Sequence, residues 1–292
     1  MCEPIVYEAE YDDDKYWERV NRNLGWLGNS EDEQKKRQSM IKNTTVGIAG
    51  TGGIGGATAD RLARMGVTHL KVADPEMFDL SNINRQFGAS FKTVGKNKAD
   101  TVAKLIHDAI PDVQIEVYTS GITDETADNF FVGCDYVLDK IELYNIPARY
   151  ALHRAFRRSA TCQFMLLTPV FGHRAFVFKW TKESMPVEEY FDVPDQNDLS
   201  PAMLERLIER FVPEMPQFPS EKTRHEWFIE MKRCPIFAGC PPLAQGLLAE
   251  RLGLTITGLD QLPGVVALPV TPGYAMFDAM TWEAKMVHGK WW

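Results

Sequence analysis

Gly50, Gly52 and Gly55 stand in a Gly-x-Gly-x-x-Gly spacing, with Gly53 inside it, directly after the apolar run Thr45-Val46-Gly47-Ile48-Ala49. A strand, a glycine turn and a helix in that order let backbone amides close on a polyphosphate, while the helix N-terminus favours its negative charge. Asp74 follows Gly50 by 24 residues at the end of the next apolar run, where a carboxylate can accept from ribose hydroxyls. Glycines that serve only a tight turn are the alternative. Beyond Asp74 come Arg85, within Ser81-Asn82-Ile83-Asn84-Arg85-Gln86, and Lys98 at the start of a helix. A nicotinamide cofactor does not need this pair, whereas a triphosphate attacked at its α-phosphorus builds charge that two cations would neutralise. Taken singly, each is equally well a surface side chain.

Positioning these residues requires strands that alternate with helices. Ala59, Leu62 and Ala63 share one helix face, and Gly66 is placed to end that helix. Residues 69–74 read as a second strand and 98–107 as a helix with Val102, Leu105 and Ile106 on one face; Val113, Ile115 and Val117 then alternate as a strand should. Residues 135–139 read as a buried strand and 148–158 as a basic helix, followed by strands at 163–167 and 174–180, the latter antiparallel or at an edge. The alternation predicts an α/β fold with a doubly wound, Rossmann-like, mostly parallel sheet and helices on both faces. From Thr181 the regularity stops, apart from a helix capped by Ser200 and Pro201 with Leu204, Leu207, Ile208 and Phe211 on its apolar face. A helix over 242–252 and two closing strands, 274–279 and 282–287, complete the chain. One domain over 1–292 is expected, made of an N-terminal helical arm (1–42), a nucleotide-binding part (43–180), a crossover segment (181–241) and a C-terminal helix with closing antiparallel strands (242–292).

Composition bounds the partners. The 292 residues carry 32 Lys plus Arg against 40 Asp plus Glu, a net charge of −8, with 45% apolar residues. No apolar run approaches the roughly 20 residues of a membrane helix, and the acidic balance argues against a DNA-binding face, so neither membrane nor DNA is an expected partner. The polar, acidic start lacks the features of a secretory signal, which makes a cytoplasmic location the expectation. Cys2, Cys134, Cys162, Cys234 and Cys240 form no disulfide framework. The run Asp12 to Asp14 reads as solvated surface.

The chain resembles the ubiquitin-activating-enzyme-like adenylyltransferases of the ThiF/MoeB/HesA type from about residue 16 to 287. The matching pieces are Arg19-Val20-Asn21-Arg22, the Gly50-Thr51-Gly52-Gly53-Ile54-Gly55 loop, Asp74, the Ser81 to Gln86 run, Thr93 to Lys98, and Phe277-Asp278-Ala279-Met280-Thr281. The resemblance implies a homodimer that uses ATP and Mg²⁺ to adenylate a carboxylate, commonly the Gly-Gly tail of a ubiquitin-like or sulfur-carrier protein. Related branches act on a tRNA nucleoside or on short peptides. It also implies that Asp74 binds ribose, that Asn82, Arg85 and Lys98 contact phosphates, and that Arg22 reaches ATP across the dimer interface.

Several positions depart from the family pattern. Its Asp-x-x-Asp becomes Asp139-Lys140-Ile141-Glu142 here, so Asp139 and Glu142 are the expected Mg²⁺ ligands, with the extra methylene of Glu142 moving its oxygens by about 1 Å. Lys140 points either towards the phosphates or into solvent. The family's paired Cys-x-x-Cys motifs are missing, so zinc is not expected. Cys234 stands where thioester-forming members place a nucleophile, and Lys232 and Arg233 beside it would lower its pKa; alternatively Cys234 and Cys240 are small apolar fillers among prolines. Trp291 and Trp292 either pack, against a dimer partner or a substrate, or form an ordinary exposed end, packing being favoured, and no appended ubiquitin-fold or rhodanese-like region is expected. A nicotinamide-dependent oxidoreductase, and a non-catalytic nucleotide-binding protein in which Glu142 marks lost chemistry, are the rival readings.

Overall fold

The computed structural model describes residues 3–292, so Cys2 lies outside the described residues. The strands are β1 (Ile5–Tyr7), β2 (Thr45–Ala49), β3 (His69–Ala73), β4 (Gln114–Tyr118), β5 (Tyr136–Asp139), β6 (Phe164–Leu167), β7 (Val170–Phe171), β8 (Arg174–Trp180), β9 (Tyr274–Asp278) and β10 (Glu283–Val287). They form one sheet in the order β1-β4-β3-β2-β5-β6-β8-β9-β10, with β7 paired to β8. The segment β4-β3-β2-β5-β6 is parallel. Chain order runs outward from β2 in both directions, so β2 and β5 flank the switch point where open α/β sheets leave a crevice at the strands' carboxyl ends. The register aligns Tyr118, Ala73, Ala49, Asp139 and Leu167 in one row along that edge.

The helices are α1 (Asp13–Arg19), α2 (Asn21–Leu24), α3 (Glu31–Lys42), α4 (Gly55–Met65), α5 (Lys98–Ala109), α6 (Ala127–Phe131), α7 (Ile146–Arg158), α8 (Val187–Phe191), α9 (Pro201–Phe211), α10 (Glu221–His225) and α11 (Pro241–Ile256). Two cores follow from the alternation of side chains along buried strands. Val46, Ile48 and Leu138 pack against Leu62 of α4, Ile106 of α5 and Leu248 of α11 on one face. Ala49 and Val137 face Phe130 of α6, Tyr150 of α7 and the crossover residues Phe191, Leu204 and Phe211 on the other. Helices thus cover both faces, and the crossover segment shields the α7 side of the sheet. The cap at Ser200 holds as expected, its hydroxyl accepting from the Met203 amide.

Some elements differ from the expectation. Leu105 of α5 is 40% exposed, because the buried face of that helix is carried by Val102, Ala103 and Ile106. α7 begins at Ile146, two residues earlier than its apolar pattern suggested, since Asn145 caps it and Pro147 fits the first turn. β1 pairs antiparallel with β4 at the sheet edge; three residues are too few for a sequence pattern to mark. The acidic run is more than solvated surface, for Asp12 caps α1 by accepting from the Lys15 amide. Tyr16 of α1 is fully buried and donates to the Gly66 carbonyl, which docks the N-terminal arm behind α4. Trp291 and Trp292 pack on this chain's own surface, Trp291 edge-on to Tyr274 and Trp292 beneath the Arg210 guanidinium at 3.6 Å.

The Phe277 to Thr281 motif is a structural turn. One Asp278 oxygen accepts from the Met280 and Thr281 amides, and the other pairs at 2.5 Å with Arg174 of β8, whose NH1 also donates to the crossover carbonyl of Glu214. Asp278→Ala strands a largely buried guanidinium and should cost about 3–5 kcal/mol in a urea denaturation. Asp278→Asn, which keeps an acceptor for the turn amides, should recover part of that loss.

Candidate active site

The glycine loop is shaped by contacts that allow no side chain. Gly50 has φ +102°, its amide donates to the Ala73 carbonyl at 2.7 Å, and a Cβ there would overlap the Lys140 carbonyl. A Cβ at Gly55 would overlap the Gly50 carbonyl. Gly52 and Gly53 are different: a Cβ on either would touch only the Gln86, Arg85 and Pro241 side chains at ordinary van der Waals distance. No side chain caps α4; the Gly56 amide makes only a long 3.4 Å bond to the Gly52 carbonyl, and the other amides of the first turn remain available to an anion.

A cavity of about 270 Å³ opens above the loop, and Gly50, Gly52, Gly53, Gly55, Asp74, Arg85, Lys98 and Glu142 all line it. Asp74 anchors the loop, one oxygen accepting from the Thr51 amide at 2.7 Å and hydroxyl at 3.2 Å and the other from the Glu76 amide. Burial raises its pKa against the opposing effect of those amides. Lys98 is 5% exposed and pairs with Glu76 at 2.5 Å. Arg85 donates through NH1 to Asn84 and Ser81, while its Nε is buried without a partner. Lys140 also lines the cavity; its Nζ is buried, has no hydrogen-bond partner, and burial pulls its pKa down to about 7. Lys140 therefore does not project into bulk solvent.

The two expected metal carboxylates have separate situations. Asp139 is 0% exposed; its Oδ2 accepts from Arg149 Nε at 3.0 Å and His153 Nε2 at 3.1 Å, and its Oδ1 from the Ile141 amide. Burial opposes its charge, but Arg149 and His153 hold its pKa at about 2. That bonding is committed to protein, so Asp139 does not fit the ligand role expected of it. Glu142 accepts from the Tyr144 amide at 2.6 Å and otherwise faces the cavity, with burial by the surrounding walls raising its pKa. Mg²⁺ keeps most of its waters and needs one or two carboxylates beside substrate phosphates, which Glu142 can satisfy.

Other expected residues lie elsewhere. Asn82 is 7% exposed and does not line the cavity; its side chain accepts from the Asp79 amide and closes the short turn, Leu80–Asn84, that presents Arg85. Its assignment as a phosphate contact is therefore replaced by a positioning role. Arg22, on α2, is exposed and away from this chain's cavity. Cys234 lines the cavity with its Sγ 3.6 Å from the Tyr144 hydroxyl, and burial, with Glu142 nearby, pushes its pKa up to about 12. Lys232 is turned to Asp198 at 3.6 Å. The expected activation of the thiol by its basic neighbours is thus not what the fold provides. Cys240 is buried against the Arg174 carbonyl. Gln86, Arg149, Thr168 and the apolar walls from β6, β7 and α9 were not foreseen, for no local motif marks them.

This geometry belongs to a recognised class: the chain is a member of the ThiF family, whose pattern matches residues 20–202. Over 106 residues it is 38% identical to the tRNA threonylcarbamoyladenosine dehydratase of Bacillus subtilis, covering 36% of this chain and 42% of that protein. Over 98 residues it is 37% identical to ubiquitin-like modifier-activating enzyme 5 of Bombyx mori, covering 34% of this chain and 24% of that one. The alignments thus span less than half of these relatives' length. In fold it is similar to Escherichia coli MccB solved with ATP, at a TM-score of 0.62 and 15% identity over 92% of this chain and 71% of the other.

The thiol carries a pH prediction. With its pKa raised to about 12, alkylation of Cys234 by iodoacetamide, followed by peptide mass spectrometry, should stay slow through pH 7–9 and accelerate only above about pH 10. Rapid labelling at pH 7.5 would instead reveal a lowered-pKa thiolate.

Proposed function

We propose that this chain is an ATP-dependent adenylyltransferase that activates the carboxylate of a small carrier protein or peptide. A carboxylate oxygen attacks the α-phosphorus, the bond from that phosphorus to the oxygen bridging the β-phosphate breaks, and an acyl-adenylate and pyrophosphate result. The observation that carries this reading is the union, in one cavity, of an uncapped helix N-terminus behind a glycine loop with Arg85, Lys98, Lys140 and Glu142. Hydride transfer needs no such set of cations. Charge that accumulates on the α-phosphate and leaving pyrophosphate does, and prearranged donors lower that barrier without reorganising.

In this mechanism the loop amides and the α4 N-terminus cradle phosphate, and Asp74 holds the loop while offering its remaining lone pairs to ribose. Arg85 and Lys98 neutralise the pyrophosphate. The Nζ of Lys140, which has no hydrogen-bond partner in the protein, adds a further donor to the phosphates. Glu142 would hold Mg²⁺, which when bound supplies charge neutralisation on the phosphate oxygens. Arg22 would join the site of a partner subunit in a homodimer. This reading includes a cytoplasmic setting; no described helix is long and apolar enough to cross a membrane.

The identity to a tRNA threonylcarbamoyladenosine dehydratase favours a second reading, in which the acceptor is a tRNA nucleoside. The net charge of −8 weighs against it, because RNA backbones are held chiefly by clustered cations.

ATP–pyrophosphate exchange with Mg²⁺ and a panel of Gly-Gly-ending carrier proteins, short peptides and bulk tRNA tests both readings. Exchange should depend on a peptide or carrier. Arg85→Ala should reduce it by about 100-fold or more while the variant melts like the parent. Exchange supported by tRNA alone would favour the second reading, and exchange undiminished in Arg85→Ala would refute the assignment of that residue.

A further inference from the structure

The cavity continues past the nucleotide machinery. Along the carboxyl edge of the sheet, Asp74 follows β3, Gly50 follows β2, Lys140 follows β5 and Thr168 follows β6. Adjacent strands are about 4.8 Å apart, so the end of β6 lies about 10 Å from the glycine loop. Beyond Glu142 the walls change character to Leu167, Val170, Phe171, Ile208, Phe211 and Phe228. All but Val170 are buried, and the Phe171 and Phe228 rings stack at 4.4 Å to close one side. Thr168, which lines the cavity here, is 2% exposed, and its enclosed Oγ1 has no hydrogen-bond partner. Arg149, the nearby guanidinium, is spent on Asp139 and the carbonyls of Ile141, Glu142 and Leu143.

A buried hydroxyl without a partner inside an apolar chamber is costly unless a ligand completes it. The adenosine does not need this space. With ribose at Asp74, Pro75 and Ile122 line the cavity on the β3 and β4 side and offer the base an apolar face away from the glycine loop. The ligand part that extends towards β6 is the acceptor.

We propose, resting on the adenylation reading, that this chamber receives a large apolar side chain on the acceptor residue whose carboxylate is activated. Thr168 donates its hydroxyl to a main-chain carbonyl of the same acceptor. The substrate class is then a peptide or protein ending in a leucine-like or phenylalanine-like residue, and a terminal glycine leaves the chamber unfilled.

Non-hydrolysable acyl-sulfamoyl adenosines that carry glycyl, leucyl or phenylalanyl groups, titrated calorimetrically into the full chain beside adenosine 5′-sulfamate, test this. The leucyl or phenylalanyl compound should bind about 10-fold or more tightly than the glycyl one. Val170→Phe, which fills the chamber from a partly exposed position, should abolish that preference and leave the affinity for adenosine 5′-sulfamate unchanged. Thr168→Val should weaken all three acyl compounds alike. Equal or tighter binding of the glycyl compound, or a preference that survives Val170→Phe, overturns the chamber assignment and leaves the adenylation reading standing. Failure of adenosine 5′-sulfamate and every acyl compound to bind overturns both.

Discussion

A single buried carboxylate organises this site. Asp139 keeps its charge in a fully enclosed position because Arg149, His153 and the Ile141 amide supply three donors to its two oxygens. The same guanidinium reaches on to the carbonyls of Ile141, Glu142 and Leu143, so the loop after β5 is held along its length. That loop carries Glu142 into the cavity and sets the Lys140 carbonyl where only a glycine at position 50 can pass. Both halves of the site, the phosphate cradle and the acidic mouth, therefore take their positions from one ion pair. Removing either partner of such a pair leaves an uncompensated buried charge, which is why it behaves as a structural constraint rather than a replaceable surface contact.

Around that anchor the cavity's basic groups are incompletely hydrogen-bonded. Lys98 has Glu76, but Arg85 Nε and Lys140 Nζ are buried without partners. Buried donors without partners cost stability in the empty protein, and a polyanion that enters among them removes the cost. The whole chain is acidic at −8, whereas the cavity lining sets Arg85, Lys98, Lys140 and Arg149 against Asp74, Glu76, Asp139 and Glu142. The crossover segment completes the enclosure, with α9 contributing Ile208 and Phe211 to a wall whose other side comes from β6 and β7.

Much of this was legible in the residues. The glycine loop, Asp74, Arg85 and Lys98 could be placed because a strand, a turn and a helix are local patterns, and because phosphate chemistry restricts which residues suit them. Asn82 and Asp139 were misjudged for one shared reason: a polar side chain that caps a turn or pairs with Arg149 and His153 looks, in the sequence, the same as one that faces a ligand. Cys234 had two readings, nucleophile or apolar filler, and the chain could not separate them because Lys232, its neighbour in sequence, turns to Asp198 while the thiol settles beside Tyr144.

The sequence by itself determined the parallel, doubly wound architecture, the phosphate-binding loop and the cations that face it, because periodicity, glycine geometry and charge act over a few residues. The tertiary structure alone decided which carboxylate is free, that burial pushes the Cys234 pKa up, and that apolar walls with one unpartnered hydroxyl adjoin the nucleotide end. Those properties, the unpartnered and enclosed state of that hydroxyl included, depend on burial and on partners that only the fold brings within hydrogen-bond or van der Waals reach.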